Sequence, residues 1–201
     1  MLKYLVLFTF AFVLAGPAVT SVLAHDHQHE GDIIVGRLLG TPDRLAIEAD
    51  LDEPVFCEPS AMPGLNGWLK DDPGFEALLE DEPDEGFYML QPGAQVRLEV
   101  VSLDAGIKLW NPELTQMADA VGEWIDLGDY ELHTHMIWHL DSDVLGTGWE
   151  DTLYGTFKLV DVGTTGYAES ETFGMAFTNV PEPTSVIALA LGGLLGLRRR
   201  R

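Results

Sequence analysis

The chain of 201 residues has one cysteine, Cys57, and few basic side chains. A single cysteine excludes an internal disulfide, so a folded domain of this chain must be stabilised by its hydrophobic core. Cys57 is expected to be a structural buried thiol, with a metal ligand or an intermolecular bridge as alternatives. Only 11 Lys and Arg stand against 33 Asp and Glu. This excess of negative charge excludes nucleic acid and an anionic membrane surface as partners.

Signatures of catalysis are also missing. The sequence has no serine-centred nucleophile elbow, no HExxH motif and no phosphate-binding loop. Carboxylates are so numerous that no pair stands out as the acid and base of a glycoside hydrolase. We therefore predict no catalytic residues and a protein that is not an enzyme, with an uncharacterised hydrolase as the least favoured alternative.

Residues 1–24 have the pattern of a secretory signal peptide. Lys3 gives a positive start, residues 4–15 form an apolar centre, and Ala24 ends a run of small residues that a signal peptidase reads. The sequence predicts an N-terminal signal helix that is cut after Ala24, with a cut near Ala18 as the alternative.

The C-terminal residues 180–201 combine a Pro-Glu-Pro tripeptide, an apolar run and a basic end. The apolar run 185–197 predicts a transmembrane helix, although a full span needs about 20 residues. Terminal guanidinium groups keep the end of such a helix on the cytoplasmic side. An ordinary membrane anchor is the alternative interpretation. The candidate functional residues of this tail are Pro181, Glu182, Pro183, Arg198, Arg199, Arg200 and Arg201.

This tail resembles the PEP-CTERM sorting signal of Gram-negative exoproteins. The resemblance implies recognition by an exosortase, a membrane-embedded cysteine protease, and removal of the tail during surface sorting. It also implies an exported protein whose C-terminus is anchored in the inner membrane until processing. The product would then lie at the cell surface or outside the cell, with an exopolysaccharide matrix as a candidate partner.

Without its two ends the chain is strongly acidic. Five of the 11 Lys and Arg, but only one of the 33 Asp and Glu, lie in the ends, so residues 25–180 keep six basic and 32 acidic side chains. This length is enough for one domain with a substantial core. We expect a His-rich mature N-terminus over 25–31 and a folded domain over 32–179.

The pattern of the domain favours an all-β fold. Apolar alternation predicts strands at 32–39, 44–51, 94–103, 107–110, 123–127, 130–141, 152–160 and 167–178. Short strands with turn signals between them favour an antiparallel β-sandwich, Ig-like or jelly-roll-like, because no room remains for helical crossovers. Residues 54–92, rich in Pro, Gly and acid, are expected to form a long irregular insertion. Asp72 is expected to cap a helical turn over 73–79.

All six histidines fall into two clusters, and imidazole is the commonest metal ligand. Side chains alternate along a strand, so three of them share the face of the predicted strand 130–141 that is opposite the core face. His133 and His135 would lie about 6.7 Å apart and can converge on one ion. His139, about 13 Å beyond, joins them only through a bulge or bend. The three others are His25, His27 and His29.

Three metal-binding arrangements stay open. His27, at the third mature position, suits a square-planar Cu(II) or Ni(II) chelate with the free α-amine. The α-amine and ring of His25 can instead pair with a strand histidine. The N-terminal histidines, with Asp26 or Glu30, can also form a Zn²⁺ site that the strand pair completes to a tetrahedron. Zinc is favoured because the ligand count fits and no blue-copper pattern is present. The alternative is a purely structural or adhesive matrix protein.

The segment 130–179 also resembles the C-terminal part of a group of PEP-CTERM proteins, and an actinobacterial surface-anchored repeat. Both contain a His-x-His-x-x-Trp strand, and some members of the group are repressed by a zinc-uptake regulator. The resemblance implies a β-sandwich and a link to zinc supply. It rests on His133, His135, Trp138, Gly155, Phe157, Ser170, Phe173 and Phe177.

Residues 141–151 approximate a calcium-binding loop. Leu145 and Thr152, however, stand where such a loop needs an oxygen ligand and a glutamate. Calcium is therefore not the expected ion.

Overall fold

A computed structural model describes residues 31–180 of the chain. This part contains one helical turn, α1 (Ser142–Leu145), and is otherwise built from β-strands, so the prediction of an all-β fold is confirmed. The strands, in chain order, are β1 (Ile33–Leu38), β2 (Arg44–Glu48), β3 (Val55–Phe56), β4 (Glu58–Pro59), β5 (Gly67–Lys70), β6 (Phe75–Ala77), β7 (Phe87–Tyr88), β8 (Gln95–Leu103), β9 (Ile107–Trp110), β10 (Met117–Ala118), β11 (Trp124–Asp129), β12 (His133–Thr134), β13 (Ile137–Asp141), β14 (Thr152–Asp161) and β15 (Phe173–Thr178).

The predicted signal helix and the predicted C-terminal transmembrane helix lie outside the described residues. Within residues 31–180, no helix has the length and apolar character needed to cross a membrane.

The strands form three sheets of five strands each. In the first sheet the order is β12-β6-β1-β2, and β7 also pairs with β1. The second sheet has the order β11-β8-β14-β15-β3, and the third has the order β10-β9-β13-β5-β4. Most pairs are antiparallel, but β1 pairs with β6, and β15 with β3, in parallel.

Side-chain alternation explains the long strands of the second sheet. In β8 the buried residues Val96, Leu98 and Val100 alternate with exposed or half-buried neighbours. Phe157 and Leu159 continue the same pattern in β14. One face of this sheet therefore covers the core, as period-two sequences require.

Trp138 of the third sheet connects all three sheets through the core. Its ring lies 5.8 Å from Phe157 and 5.0 Å from Phe177 of the second sheet, measured between centroids. Phe75 of the first sheet lies at 6.4 Å. The indole Nε1 donates a hydrogen bond to the Pro73 carbonyl at 3.1 Å, as a buried indole normally requires.

Residues 54–92 do not form the irregular insertion that the sequence predicts. This segment contributes β3 to β7 and supplies strands to each of the three sheets. Residues 73–79 do not form the predicted helical turn, because Phe75 and Ala77 are buried in β6, beside β1. Strands this short carry no periodicity of their own, so pairing with a distant partner decides their conformation.

The predicted strand 130–141 is divided in two. β12 belongs to the first sheet and β13 to the third, so the chain changes sheets between Thr134 and Ile137. Every residue of β13 is buried. His139, which the sequence places on the face opposite the core, is therefore not exposed to solvent: it is buried, and β13 is paired along both of its edges, with β9 and with β5.

Candidate metal centre

Three potential ligands come from one face of the first sheet. The central strand β6 places Glu76 opposite Ile34 of β1 on one side and opposite His133 of β12 on the other. Paired residues share a face, and so do residues two positions apart along a strand. Asp32, just before β1, therefore lies on the same face as His133.

His135 stands where the chain leaves the first sheet for the third. In a straight strand its side chain would be about 6.7 Å from that of His133. At this bend the ring centroids are 5.4 Å apart, and the two Nε2 atoms are only 3.3 Å apart. The bend thus turns two neighbouring side chains toward one point.

Gly74 leaves the room that the His135 ring occupies. A Cβ at this position would lie 2.9 Å from Nδ1 of His135 and 3.0 Å from the Thr134 carbonyl oxygen, which is too close. The Gly74 backbone N–H also donates to Oδ1 of Asp32 at 2.9 Å. This glycine therefore admits one ring and orients the carboxylate.

One carboxylate oxygen of Asp32, Oδ2, is buried and accepts no hydrogen bond. Its side chain is 3% exposed, and Oδ2 lies 3.7 Å from Nε2 of His135. That distance exceeds a hydrogen bond, and Oδ2 has no hydrogen-bond partner. Leaving a buried carboxylate oxygen unsatisfied costs at least about 1–3 kcal/mol, and a bound cation is one way to compensate it.

The surroundings of His135 fix its tautomer. Nδ1 lies 3.1 Å from Oδ1 of Asp72 and 3.2 Å from the Asp71 carbonyl oxygen. Both neighbours accept hydrogen bonds, so Nδ1 carries the proton and Nε2 keeps its lone pair. Metal-binding histidines typically donate their second ring N–H to a carboxylate or a backbone carbonyl in this way.

The separation of the donors fits a tetrahedral ion. One carboxylate oxygen of Asp32 and one ring nitrogen each from His133 and His135 all lie within 4.8 Å of one another. Two nitrogens at about 2.0–2.1 Å from a tetrahedral zinc ion are separated by about 3.3 Å. The measured Nε2–Nε2 distance of 3.3 Å has this value.

His139, the third predicted ligand on the strand, is not brought to this cluster. Its Nε2 donates to the Asn66 carbonyl oxygen at 2.8 Å, and its Nδ1 is buried without a hydrogen-bond partner. Two groups of three possible ligands meet in the described region, and neither includes His139. His25, His27 and His29 lie outside the described residues.

Cys57 is buried in the core. Burial raises the pKa of its thiol to about 12, and the positive charge of Lys70 lowers it only in part. A thiol with this pKa stays protonated, whereas metal binding requires the thiolate. The structure thus supports the role of a structural buried thiol.

Asp141, in the predicted calcium-like loop, has other partners. Its Oδ2 pairs with Nζ of Lys108 at 2.7 Å, and its Oδ1 accepts from the Asp143 backbone N–H as the cap of α1. Burial raises the pKa of this carboxyl, but the hydrogen bonds outweigh it and hold the pKa below its usual range. Both oxygens are therefore engaged within the protein.

Sequence reasoning missed Asp32 and Gly74. Asp32 lies about 100 residues from the histidine pair in the chain, and one aspartate among many carries no signal by itself. The local hint is its position at the start of a strand, directly after the His-rich segment. The other group of three possible ligands in the described region consists of the acids Glu48, Glu82 and Glu85, and it is mostly exposed.

The comparisons with known proteins identify the tail. The family model of the PEP-CTERM protein-sorting motif matches residues 179–201, which include Pro181, Glu182 and Pro183. No curated protein and no solved structure matches the chain significantly. The resemblance of segment 130–179 stays a prediction. The motif implies export, processing by an exosortase and sorting to the surface. The chain therefore carries the PEP-CTERM sorting signal of exported proteins that an exosortase sorts to the cell surface.

Proposed function

We propose that the exported domain binds a divalent metal ion through Asp32, His133 and His135, and that zinc is the favoured ion. The protein then acts as a non-catalytic metal-binding component of the cell envelope or the extracellular matrix. The observation that carries this proposal is the buried Oδ2 of Asp32, which accepts no hydrogen bond and lies beside two imidazoles whose Nε2 atoms are 3.3 Å apart.

The donor set supports zinc more than the other candidate ions. Two imidazoles and a carboxylate are common zinc ligands, and their spacing suits a tetrahedron. Calcium prefers a shell of oxygen atoms, which this site does not offer. Iron(II) also uses two histidines and one carboxylate, so it is the main competitor. Parallel titrations with Zn²⁺ and Fe²⁺ distinguish the two ions.

The aromatic contacts of Trp138 also support the assignment of the fold as a β-sandwich. We infer that the second and third sheets are the two layers of a β-sandwich, since Trp138 of one sheet packs on Phe157 and Phe177 of the other. The first sheet then closes one side of the core and carries the metal ligands.

Replacing Asp32 with asparagine tests whether this residue is a ligand or only a structural acid. Asp32→Asn keeps an acceptor for the Gly74 N–H and removes a buried charge. We expect the metal-free variant to unfold at the same temperature as the wild type or higher. We expect its Zn²⁺ affinity, measured by calorimetry, to fall about 100-fold.

Glu48→Gln is the matched control, because Glu48 belongs to the exposed acidic group with Glu82 and Glu85. This change should leave the Zn²⁺ affinity unchanged. One result for Asp32→Asn would instead identify a purely structural role for Asp32. If Asp32→Asn lowers the stability of the metal-free protein and does not change Zn²⁺ affinity, the carboxylate serves as an ion-pair partner of His135.

Gly74→Ala should weaken metal binding without removing any ligand. The added methyl group meets the His135 ring at less than 3.0 Å and must displace it. We expect a loss of Zn²⁺ affinity of about 10–100-fold, comparable to the loss of a residue that orients a ligand. Gly148→Ala is the control, because a Cβ there meets nothing within 4 Å. Equal affinities of the two variants would contradict the assigned role of Gly74.

A further inference from the structure

We infer that Glu76 is a positioning residue of the metal site, whose carboxylate accepts the Nδ1–H of His133 and so keeps Nε2 of that ring free to bind the ion. This inference rests on the proposed function, because it assumes that Asp32, His133 and His135 hold the ion. His135 has a carboxylate partner of this kind in Asp72. Metal-binding histidines typically donate their second ring N–H to such a partner, so His133 is expected to have one as well.

The register of β6 and β12 brings the side chains of Glu76 and His133 together. The two residues are directly opposite each other. The Ala77 backbone N–H donates to the Leu132 carbonyl oxygen at 2.8 Å, one residue beyond this pair on each strand. Glu76 and His133 therefore form a non-hydrogen-bonded pair, in which the Cα atoms are only about 4.5 Å apart and the side chains lie closest.

Glu76 carries a buried negative charge that needs a positive partner. The residue is only 4% exposed, and a carboxylate is almost never buried to this extent unless its charge is compensated. The six Lys and Arg of residues 31–180 form ion pairs with other acids: Arg37, Arg44, Lys70, Arg97, Lys108 and Lys158. The histidine pair and its ion are then the source of positive charge for Glu76. One divalent ion balances the two carboxylates of Asp32 and Glu76.

The arrangement makes Glu76 a partner of His133, not a fourth ligand. The ligand atoms that lie within 4.8 Å of one another come from Asp32, His133 and His135, and Glu76 does not belong to this group. Glu76 and His133 line a cavity of about 340 Å³, whereas Asp32 and His135 line a different one of about 500 Å³. Nε2 of His133 is directed to Nε2 of His135, so Nδ1 is the ring atom that remains for Glu76. An imidazole protonated at Nδ1 has its lone pair on Nε2.

The test uses the full chain, purified without a polyhistidine tag. Zn²⁺ affinity is measured by calorimetry, and the tautomer of His133 is measured by NMR of the metal-free protein with isotope-labelled histidine rings. Glu76→Met removes the acceptor and keeps the length of the side chain. Glu76→Gln keeps an acceptor and removes the charge. Glu131→Gln is the matched control, because it removes a charge from the wall of the same cavity and leaves Glu76 in place.

The inference predicts that Glu76→Met binds Zn²⁺ about 10–100-fold more weakly than the wild type. Glu76→Gln should lose less affinity, and Glu131→Gln should match the wild type. NMR should find the His133 proton on Nδ1 in the wild type and on both nitrogens in Glu76→Met, a change that a merely structural role would not cause. Metal-free Glu76→Met should unfold at the wild-type temperature or higher, because an apolar side chain of similar volume replaces a buried charge.

Unchanged Zn²⁺ affinity or an unchanged His133 tautomer in Glu76→Met would overturn the inference. Equal losses of affinity in Glu76→Gln and Glu131→Gln would also overturn it, and this comparison decides the question if Glu76→Met does not fold. These results leave the proposed function standing when binding is lost in His133→Gln/His135→Gln. Absence of Zn²⁺ binding to the wild type, or binding that survives in that double variant, would overturn the proposed function itself.

Discussion

Replacing His133 and His135 together with glutamine should remove tight Zn²⁺ binding and leave the fold intact. Changing a residue that only orients a ligand costs about 10–100-fold in affinity, so the loss of two ligands should exceed about 100-fold. The fold should persist because β12 is a two-residue strand at the edge of its sheet. His133 is exposed and His135 is half-buried. Calorimetry gives the affinity, and thermal unfolding in the presence of a chelator gives the stability.

His139→Gln is the matched control for this experiment. His139 is 2% exposed and binds the Asn66 carbonyl, away from the cluster. Its replacement should lower the free energy of unfolding, because it disturbs a buried hydrogen bond. It should not change Zn²⁺ affinity. The opposite pattern, with affinity lost in His139→Gln and retained in the double variant, would place the ion in the third sheet and contradict the assignment.

Trp138→Ala should cause the largest loss of stability of any change considered. Truncation of a fully buried tryptophan typically costs about 3–5 kcal/mol, out of a total stability of about 5–15 kcal/mol. Trp138 is 0% exposed and contacts aromatic rings of both other sheets, so the cavity left behind would lie where all three sheets meet. Urea unfolding of the variant measures this cost.

Trp124→Ala is the comparison for this prediction. Trp124 is half-buried and stacks on the guanidinium of Arg97, whose Cζ lies 3.6 Å from the ring centroid. Exposed contacts of this type contribute about 0.5–1 kcal/mol. Trp138→Phe keeps the experiment informative if the alanine variant does not fold, because it removes mainly the hydrogen bond to Pro73. Similar losses in Trp124→Ala and Trp138→Ala would contradict the central position of Trp138.

The long strands could be predicted from the sequence because their signal is local. β8, β9 and β14 bury every second side chain, and that alternation is visible in the amino-acid order. The convergence of His133 and His135 was predicted for the same reason, since two residues separated by one position share a strand face. The tail also carries its own signal, which the match over residues 179–201 confirms.

The remaining features depend on partners that are distant in sequence. Nothing in the residues around His135 marks the point where the chain passes from one sheet to another. β3 to β7 contain two to four residues each, too few to show a period. Asp32 reaches the histidines only because β6 brings β1 and β12 together in one sheet. Local patterns therefore predicted two of the three proposed ligands, and the topology of the first sheet brings the third, Asp32, beside them.

A crystal of the full chain grown with Zn²⁺, measured on both sides of the zinc absorption edge, tests the central claim most directly. We expect an anomalous peak at about 2.0–2.2 Å from Oδ2 of Asp32 and from Nε2 of both His133 and His135. A crystal with no peak at this position, or with its zinc held by Glu48, Glu82 and Glu85, would contradict the account.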